Sequence, residues 1–333
     1  MPASGTTRFR ALPALQVNGY RPHGLHAQEQ VWVEKNCYVD VWIELLHALG
    51  LEPTAAMGFT LAVDFEGDQW TFFKPPLGDL RTLYGIDVQE LTVWRPLLEH
   101  ARVHLGAGKP ISTEADAFWL PDTAGTDYRR QHTKTTIVLN DLDLEHEQLG
   151  YFHNASYYSL GGEDFRGLFR VGAPHDPAFM PLYAELIRRD RIVRRPSTEL
   201  AAICLDLLRE HFDHRPQINP VLAFGSHIDA EFSGLQAQGL TQYHAWAFAT
   251  IRQCGAAFDL SAAHLRWLAG LDGADWLPAA ESFDQIAQGC KTLILKAARA
   301  VNTGRPLDAA PMIQTMACAW DAGMTSIEHA MAR

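Results

Sequence analysis

Apolar and polar positions follow two different patterns along the chain. Between residues 30 and 170, one stretch with helical spacing is followed by several short apolar or β-branched runs that are typical of strands. From about residue 177 onward, apolar residues recur at helical spacing almost throughout. The sequence therefore predicts an α+β protein with a mixed domain over residues 1–175 and a mainly helical domain over residues 176–333.

The mixed domain is predicted to open with a helix over residues 38–50, where apolar side chains recur at helical spacing and Gly50 can end the helix. Strands are predicted at 58–63, 70–73, 110–120, 134–139 and 148–154, with further helices at 77–84 and 91–105. In the second half, helices are predicted at 182–189, 197–212, 240–258, 261–271, 283–300 and 309–332. This order favours a helix packed on an antiparallel sheet, followed by a helical domain.

Net charge, apolar run length and cysteine spacing exclude several classes of protein function. The 333 residues carry a formal net charge of −11, which argues against a general nucleic-acid binder because the phosphate backbone demands a positive surface. No apolar run approaches the roughly 20 residues of a membrane span, and the N-terminal residues lack the apolar stretch of a signal peptide. The five cysteines are widely spaced without a C-x-x-C pair, so we expect no disulfide framework, no metal site and a reducing cytoplasm.

Cys37 stands where the first helix should begin, whereas the other four cysteines lie inside predicted helices. A helix N-terminus favours the thiolate, because unpaired N–H groups and the helix dipole stabilise an anion. Asn36, directly before the cysteine, is a residue type that caps helices. Cys37 is therefore a candidate nucleophile, and the alternative is a small apolar side chain in the core.

A thiol nucleophile needs a base and a third group that orients the base. His132 precedes the best predicted strand and Asn154 lies on the next one, which gives the order Cys, His, Asn. A helix that bears the thiol, packed on strands that bear its partners, is typical of papain-like folds. His153, Asp141 and Asp143 are alternatives to Asn154 for the third role.

Asp116 lies among aromatic residues on a predicted strand, in EADAFWLPD. A carboxylate in such a setting usually needs a partner. Two functional roles are open to it, the orientation of a substrate amine and the orientation of the catalytic histidine. The alternative is a surface carboxylate on an edge strand.

Three stretches resemble the butirosin biosynthesis protein H type of acyltransferase, namely NCYVDVWIELLHALG, DAFWLPDTAGTDYRRQHTKTTIVL and GYFHNASYYSLGGEDF. This resemblance covers roughly residues 30–170. The chain is more similar still to a related, uncharacterised bacterial family. Members of that family tend to be encoded near seryl-tRNA-synthetase-like amino acid:carrier protein ligases and small carrier proteins.

The resemblance implies a papain-like cysteine fold and the transfer of an acyl group from the phosphopantetheine thioester of a carrier protein to an amine. It assigns Cys37 as nucleophile, His132 as base and Asn154 as the third member. Proteins of this type usually carry Asp at the position of Asn154, and an amide stabilises an imidazolium less than a carboxylate does. Asp116, followed by Leu120-Pro121, matches the Asp-x-x-x-Leu-Pro segment of these proteins.

The predicted reaction uses a Cys37 acyl-enzyme that passes an aminoacyl group to a small-molecule or peptide amine. Asn36 and Gln30 are candidate oxyanion donors, although Gln30 lies one position further from the cysteine than the glutamine of papain-like enzymes usually does. No cofactor is expected beyond the phosphopantetheine of the donor. An acidic carrier protein can dock on a local cluster of arginines, Arg188, Arg189, Arg191, Arg194 and Arg195.

Two other functions remain open on the same residues. A peptidase, amidase or thioesterase would use the same triad to transfer the acyl group to water. A non-catalytic protein that binds a carrier protein would keep Cys37 as a packed core residue. The sequence does not distinguish transfer from hydrolysis, because the difference depends on water exclusion and access of the acceptor.

Overall fold

A computed structural model describes residues 7–12, 15–174 and 180–332 of the chain. The architecture is α+β, with an antiparallel sheet in one compact unit and mainly helices in the other. The sheet unit comprises Met1–Gly24, Cys37–Leu51 and Leu80–Arg194. The helical unit comprises Leu25–Asn36, Glu52–Asp79 and Arg195–Arg333. Two segments of the helical unit thus come from ahead of the boundary predicted at residue 175.

The sheet unit contains strands and helices in mixed order. Its elements are β1 (Arg8–Arg10), α1 (Cys37–Ala48), α2 (Leu77–Tyr84, which enters the unit at Leu80), β2 (Asp87–Glu90), α3 (Leu97–Gly106), β3 (Ile111–Asp116), β4 (Lys134–Asp143), β5 (Gln148–His153), β6 (Ser156–Gly161), α4 (Glu163–Phe169) and β7 (Ala184–Arg188). The strand order is β2-β7-β3-β4-β5-β6, β1 also pairs with β4, and every pairing is antiparallel. The predicted helix at 77–84 and the predicted strands at 134–139 and 148–154 are confirmed, and β4 runs four residues further than predicted.

A register irregularity between Leu139 and Asp141 places Asn140 at a bulge in β4. The Asn140 side chain is fully buried, and its Oδ1 accepts a hydrogen bond from the backbone N–H of Leu12 at 2.7 Å. Its Nδ2 donates to the hydroxyl of Tyr157 at 3.0 Å. The amide is thereby satisfied without water, and it joins the N-terminal segment to the sheet.

Residues 182–189 were predicted as a helix, and this is wrong, because the segment forms strand β7 between β2 and β3. Residues 184–187 are all buried, including the polar Glu185, so exposed and buried side chains do not alternate along the run. A short, fully buried run of this kind cannot be assigned from periodicity alone. The helix predicted at 91–105 begins only at Leu97, directly after Pro96. A proline disfavours helical backbone at the residue before it, so the helix cannot easily extend further back along the chain.

The strands predicted at 58–63 and 70–73 are also wrong. Residues Pro53–Ala62 form a 3-10 helix in the helical unit, and nearly all of its side chains are buried. Glu52 caps it by accepting a hydrogen bond from the backbone N–H of Thr54 at 2.9 Å, and Pro53 occupies its first position. A single bridge between Phe65 and Trp70 is the strand pairing described in this region.

The described residues of the helical unit also form six α-helices. They are α5 (Ser197–Asp213), α6 (Pro220–Gln238), α7 (Leu240–Ala249), α8 (Ile251–Asp272), α9 (Leu277–Thr303) and α10 (Ala310–Met331). The helix predicted at 240–258 is interrupted at Thr250, and its second half continues through 261–271 as one helix. Helix α6 was not predicted. Within the described part of the chain, no helix is both long and apolar enough to span a membrane.

His264 on α8 is a buried histidine held in its neutral form. Its Nδ1–H donates to the carbonyl oxygen of Thr54 at 2.8 Å, so the ring links α8 to the 3-10 helix. Burial lowers the pKa of His264 to about 4, and the nearby His211 adds to the shift. Because the unfolded chain binds this proton more readily, the folded state should weaken as the pH falls from 6.5 towards 4.

We expect His264→Gln to flatten this pH dependence. For the wild-type protein, the free energy of unfolding from urea titrations should fall by up to about 3 kcal/mol between pH 7 and pH 4 through this group. In the glutamine variant, the free energy of unfolding should no longer show this part of the fall with pH, whatever its value at pH 7. His214→Gln, at an exposed histidine, should keep the wild-type slope. Equal slopes in all three proteins would contradict the prediction.

Candidate functional site

Cys37 is the first residue of α1, and its side chain is half-buried. Its Sγ lies 3.7 Å from the hydroxyl Oγ1 of Thr136 on β4. A threonine hydroxyl is too weak a base to remove the thiol proton, so this contact alone does not activate Cys37. The thiol is therefore at the predicted helix start, but it faces a hydroxyl rather than an imidazole.

Helix α1 is fixed by buried polar contacts at two residues that follow the cysteine. The hydroxyl of Tyr38 donates to Oε2 of Glu185 on β7 at 2.8 Å, and burial together with this carboxylate raises the pKa of Tyr38. Six residues further on, the fully buried Glu44 accepts hydrogen bonds from the Tyr20 hydroxyl at 2.6 Å and from the His23 backbone N–H at 3.0 Å. Such satisfied groups hold the start of α1 in a defined position.

The predicted base, His132, pairs with Asp116. His132 Nδ1 lies 2.6 Å from Asp116 Oδ2, and the imidazole stacks on the ring of Phe118 at 4.5 Å between centroids. The other carboxylate oxygen of Asp116 accepts the backbone N–H of Phe118 at 3.1 Å. A carboxylate accepts, so we assign the proton to Nδ1, which leaves the Nε2 lone pair as the base. The His132 side chain is 71% exposed.

The strand register puts this pair on the same sheet face as the thiol. Asp116 lies directly opposite Lys134, and Glu114 lies directly opposite Thr136. Residues that oppose each other, or that are two apart along a strand, share a face. Asp116 and Thr136 are thus diagonal neighbours on paired strands, and the Cα atoms of such neighbours lie about 7–8 Å apart. Because Thr136 contacts Cys37, the His132–Asp116 pair and the thiol lie along one face of the β3–β4 pair.

Asn154 does not contact His132 or Cys37. It is the first residue of the two-residue turn between β5 and β6, with φ at 44°. Asparagine is favoured in such hairpin turns because it tolerates left-handed backbone. In the described part of the chain, its side chain makes no hydrogen bond, and the carboxylate that orients His132 is Asp116.

His153, the alternative to Asn154, lies in a separate buried network on the opposite face. Its Nδ1 is 2.5 Å from Asp122 Oδ2, and its Nε2 is 2.8 Å from the Thr135 hydroxyl. The other oxygen of Asp122 accepts the hydroxyl of Tyr151, whose pKa is raised by burial and by this carboxylate. This network ties the loop over 117–133, which carries His132, to strands β4 and β5. Sequence reasoning missed Asp122, since no local pattern distinguishes it from a loop aspartate.

The remaining alternatives have structural partners. Asp141 pairs with Arg8 at 2.7 Å and with Arg10 at 2.8 Å. Asp143 accepts the backbone N–H groups of Glu145 and His146 at 3.1 Å each. Both carboxylates therefore hold the turn and the N-terminal strand in place.

The two candidate oxyanion donors belong to the helical unit. Asn36 is buried and its Nδ2 donates to the carbonyl oxygen of Phe73 at 3.0 Å, while the backbone N–H of Gln30 donates to Ala27 at 3.1 Å. Between them, the buried Lys35 donates to the carbonyl oxygens of Leu25 and Trp32 and lies 3.2 Å from Asp259. The segment ahead of Cys37 is therefore anchored mainly by a lysine that the sequence did not single out.

The predicted arginine cluster is largely engaged with its own chain. Arg188 pairs with Asp87 at 3.5 Å, and Arg195 pairs with Glu199 at 3.5 Å. Arg189 donates to the carbonyl oxygen of Gly108, and Arg194 donates to that of Leu49. A carrier protein would therefore compete with existing contacts at most of these positions.

A cavity of about 690 Å³ opens beside the His132–Asp116 pair. Its other walls include Trp119, Leu168 and Leu182. Cys37 is not among the described residues that line it. Across residues 7–12, 15–174 and 180–332, no group of three or more His, Cys, Asp and Glu side chains is arranged to hold a metal ion.

Family comparisons match nearly the whole chain. Residues 21–189 match the DUF1839 N-terminal domain, and residues 197–329 match the DUF1839 C-terminal domain. No curated protein matches the chain. The matched boundary between 189 and 197 coincides with the start of the last segment of the helical unit at Arg195.

We expect Asp122→Ala to destabilise the protein much more than Asp116→Ala. The first change leaves a buried histidine and a buried tyrosine hydroxyl without their acceptor, at a cost of about 2–5 kcal/mol. The second removes a partly exposed pairing and a cap, at a cost of about 1 kcal/mol. Urea unfolding followed by circular dichroism measures both. A loss for Asp122→Ala no larger than that for Asp116→Ala would mean that the buried network does not anchor the loop.

Proposed function

The chain belongs to the DUF1839 family, and from that premise we propose that it is a cysteine-dependent acyltransferase with a papain-like arrangement of its site. Cys37 is the nucleophile, His132 is the acid–base group, and Asp116, rather than Asn154, orients the imidazole. The observation that carries the proposal is the 2.6 Å pairing of His132 Nδ1 with Asp116 Oδ2 on the sheet face that also carries the cysteine.

The pairing leaves the imidazole in the form that a general base needs. A carboxylate on Nδ1 keeps the proton there and stabilises the imidazolium that forms during the reaction. Nε2 then accepts a proton from the thiol. A carboxylate stabilises the imidazolium better than an amide does, so a triad with Asp116 is stronger than one with Asn154.

In the first step, the Cys37 thiolate attacks the carbonyl carbon of an aminoacyl thioester on the phosphopantetheine arm of a carrier protein. The new C–S bond to Cys37 forms, the C–S bond to pantetheine breaks, and the departing thiol takes the proton from His132. Backbone N–H groups at the start of α1 stabilise the oxyanion.

In the second step, an amine attacks the acyl-enzyme. The C–N bond forms, the C–S bond to Cys37 breaks, and His132 takes a proton from the amine and returns one to the thiolate. Neither step needs an oxidant, ATP or a metal ion. The proposal requires Nε2 to approach Cys37 across the diagonal of the β3–β4 pair, and the 71% exposure of His132 leaves its side chain room to turn.

Two other functions have one observation each in their favour. Hydrolysis is favoured by the exposure of His132, since water reaches the base directly. The third function is a non-catalytic protein that binds a carrier protein and keeps Cys37 as a packed core residue. The contact of the Cys37 thiol with the Thr136 hydroxyl favours this packed role for the cysteine. Transfer is preferred because a cavity large enough for an acceptor opens at the base.

Thiol reactivity tests whether Cys37 is activated. At neutral pH, iodoacetamide should label Cys37 about tenfold faster than the exposed Cys318, because a thiolate, not exposure, sets the rate. Burial raises the pKa of Cys204 to about 12, and it also raises the pKa of Cys254, so both should react slowly. His132→Ala should slow Cys37 and leave Cys318 unchanged, as peptide mass spectrometry can measure. Equally slow labelling of all five cysteines would rule out an activated nucleophile.

Intact-mass spectrometry tests the acyl-enzyme. Incubation with a glycyl-loaded or an acetyl-loaded carrier protein should add one acyl group to the wild-type chain. The Cys318→Ala protein should still be acylated, and the Cys37→Ala protein should not. The absence of an adduct on the wild-type chain with both donors would contradict the proposal. Loss of the adduct to water at the same rate with and without added amines would indicate hydrolysis instead.

A further inference from the structure

Three of the charged side chains that line the cavity beside His132 have polar partners within the chain, and Arg170 also lines it. Glu163 pairs with Arg129 at 3.2 Å, and Arg166 pairs with Glu147 at 2.7 Å. Asp116 is taken up by His132. These pairs are largely exposed, so they contribute little to the binding of a charged ligand.

The other walls are mainly apolar and include an aromatic ring in a fixed position. Trp119, Leu168, Val171 and Leu182 line the cavity. Trp119 packs on Gly167 of α4 so closely that an added Cβ would lie 2.3 Å from the indole. The Arg129 guanidinium lies 4.5 Å from the centroid of the same ring. A wall held in this way is suited to contact a flat apolar group, because little conformational freedom is lost on binding.

Size and position limit the occupant further. A volume of about 690 Å³ lies in the range of sites for small organic ligands. His132 and Asp116 line the cavity while Cys37 does not, so its occupant reaches the base rather than the nucleophile. In the proposed function, the group that must reach the base in the second step is the acceptor, which gives up its proton there.

We propose that this cavity is the acceptor site, and that the acceptor is a small primary amine with a ring-sized apolar body. The apolar body lies against Trp119, Leu168, Val171 and Leu182, and the amine nitrogen points to His132 Nε2. The assignment as an acceptor rests on the proposed acyl transfer. The apolar body of the ligand is argued from the cavity walls alone, and its amine group from the proposed acyl transfer. A polycationic amine is disfavoured, since Arg166 and Arg170 line the cavity and its two acidic side chains already have partners.

Direct binding tests the ligand class without any reaction. We would titrate the full-length protein with phenethylamine and follow saturation-transfer NMR, with ethanolamine as a polar amine of similar charge. Phenethylamine should bind saturably, and ethanolamine should not. Val171→Trp, which fills the cavity, should weaken phenethylamine binding at least about tenfold. Val103→Trp is the matched control, because Val103 is 45% and Val171 is 40% exposed and only Val171 lines the cavity.

The outcomes separate this inference from the proposed function. The site is overturned if phenethylamine fails to bind, if ethanolamine binds as well, or if the two tryptophan variants behave alike. It is supported if phenethylamine binds and Val171→Trp alone weakens binding. Binding of that kind with an unreactive Cys37 would support the ligand class and overturn acyl transfer. A reactive Cys37 without binding would leave acyl transfer standing and overturn the cavity as its acceptor site.

Discussion

The alternation of side chains along β4 is the constraint on which the sheet and the candidate site depend. β4 pairs with β1, β3 and β5, and successive residues point to opposite faces. Thr136 therefore contacts Cys37 on one face, while Thr135 contacts His153 on the other. A slip of one residue would exchange the two faces. The bulge at Asn140, whose amide is satisfied by Leu12 and Tyr157, fixes the register against such a slip.

Buried polar groups hold the segments that present the candidate residues. Lys35, two residues ahead of Cys37, is fully buried and paired with Asp259 at 3.2 Å. Burial raises the pKa of Asp259, while Lys35 acts in the opposite direction. An ion pair of this kind adds little net stability over an apolar pair of the same size, but the loss of one partner is costly. Its effect is to specify one position for the segment, as Asp122 does for the loop of His132.

The site illustrates how sequence order can lead to the wrong partner for a histidine. The order Cys, His, Asn pointed to Asn154, which lies in a tight turn that favours asparagine for its backbone. Asp116 was recognised as a carboxylate in need of a partner, and its partner is His132, 16 residues away. The antiparallel pairing of β3 with β4 brings Asp116 and His132 together, because the end of β3 lies beside the start of β4. The sequence around each of the two residues gives no indication of this pairing.

The sequence by itself determined the α+β class, the start of α1 at Cys37 and most of the long helices. Periodicity and capping residues specify these locally, and a helix satisfies its own backbone. Only the tertiary structure decided that residues 184–187 form a strand, that residues 53–62 form a 3-10 helix, and that Asp116 orients His132. In each case, the deciding contact comes from residues distant in the chain. A short buried run has no period of its own, and a carboxylate acquires a partner only when two strands pair.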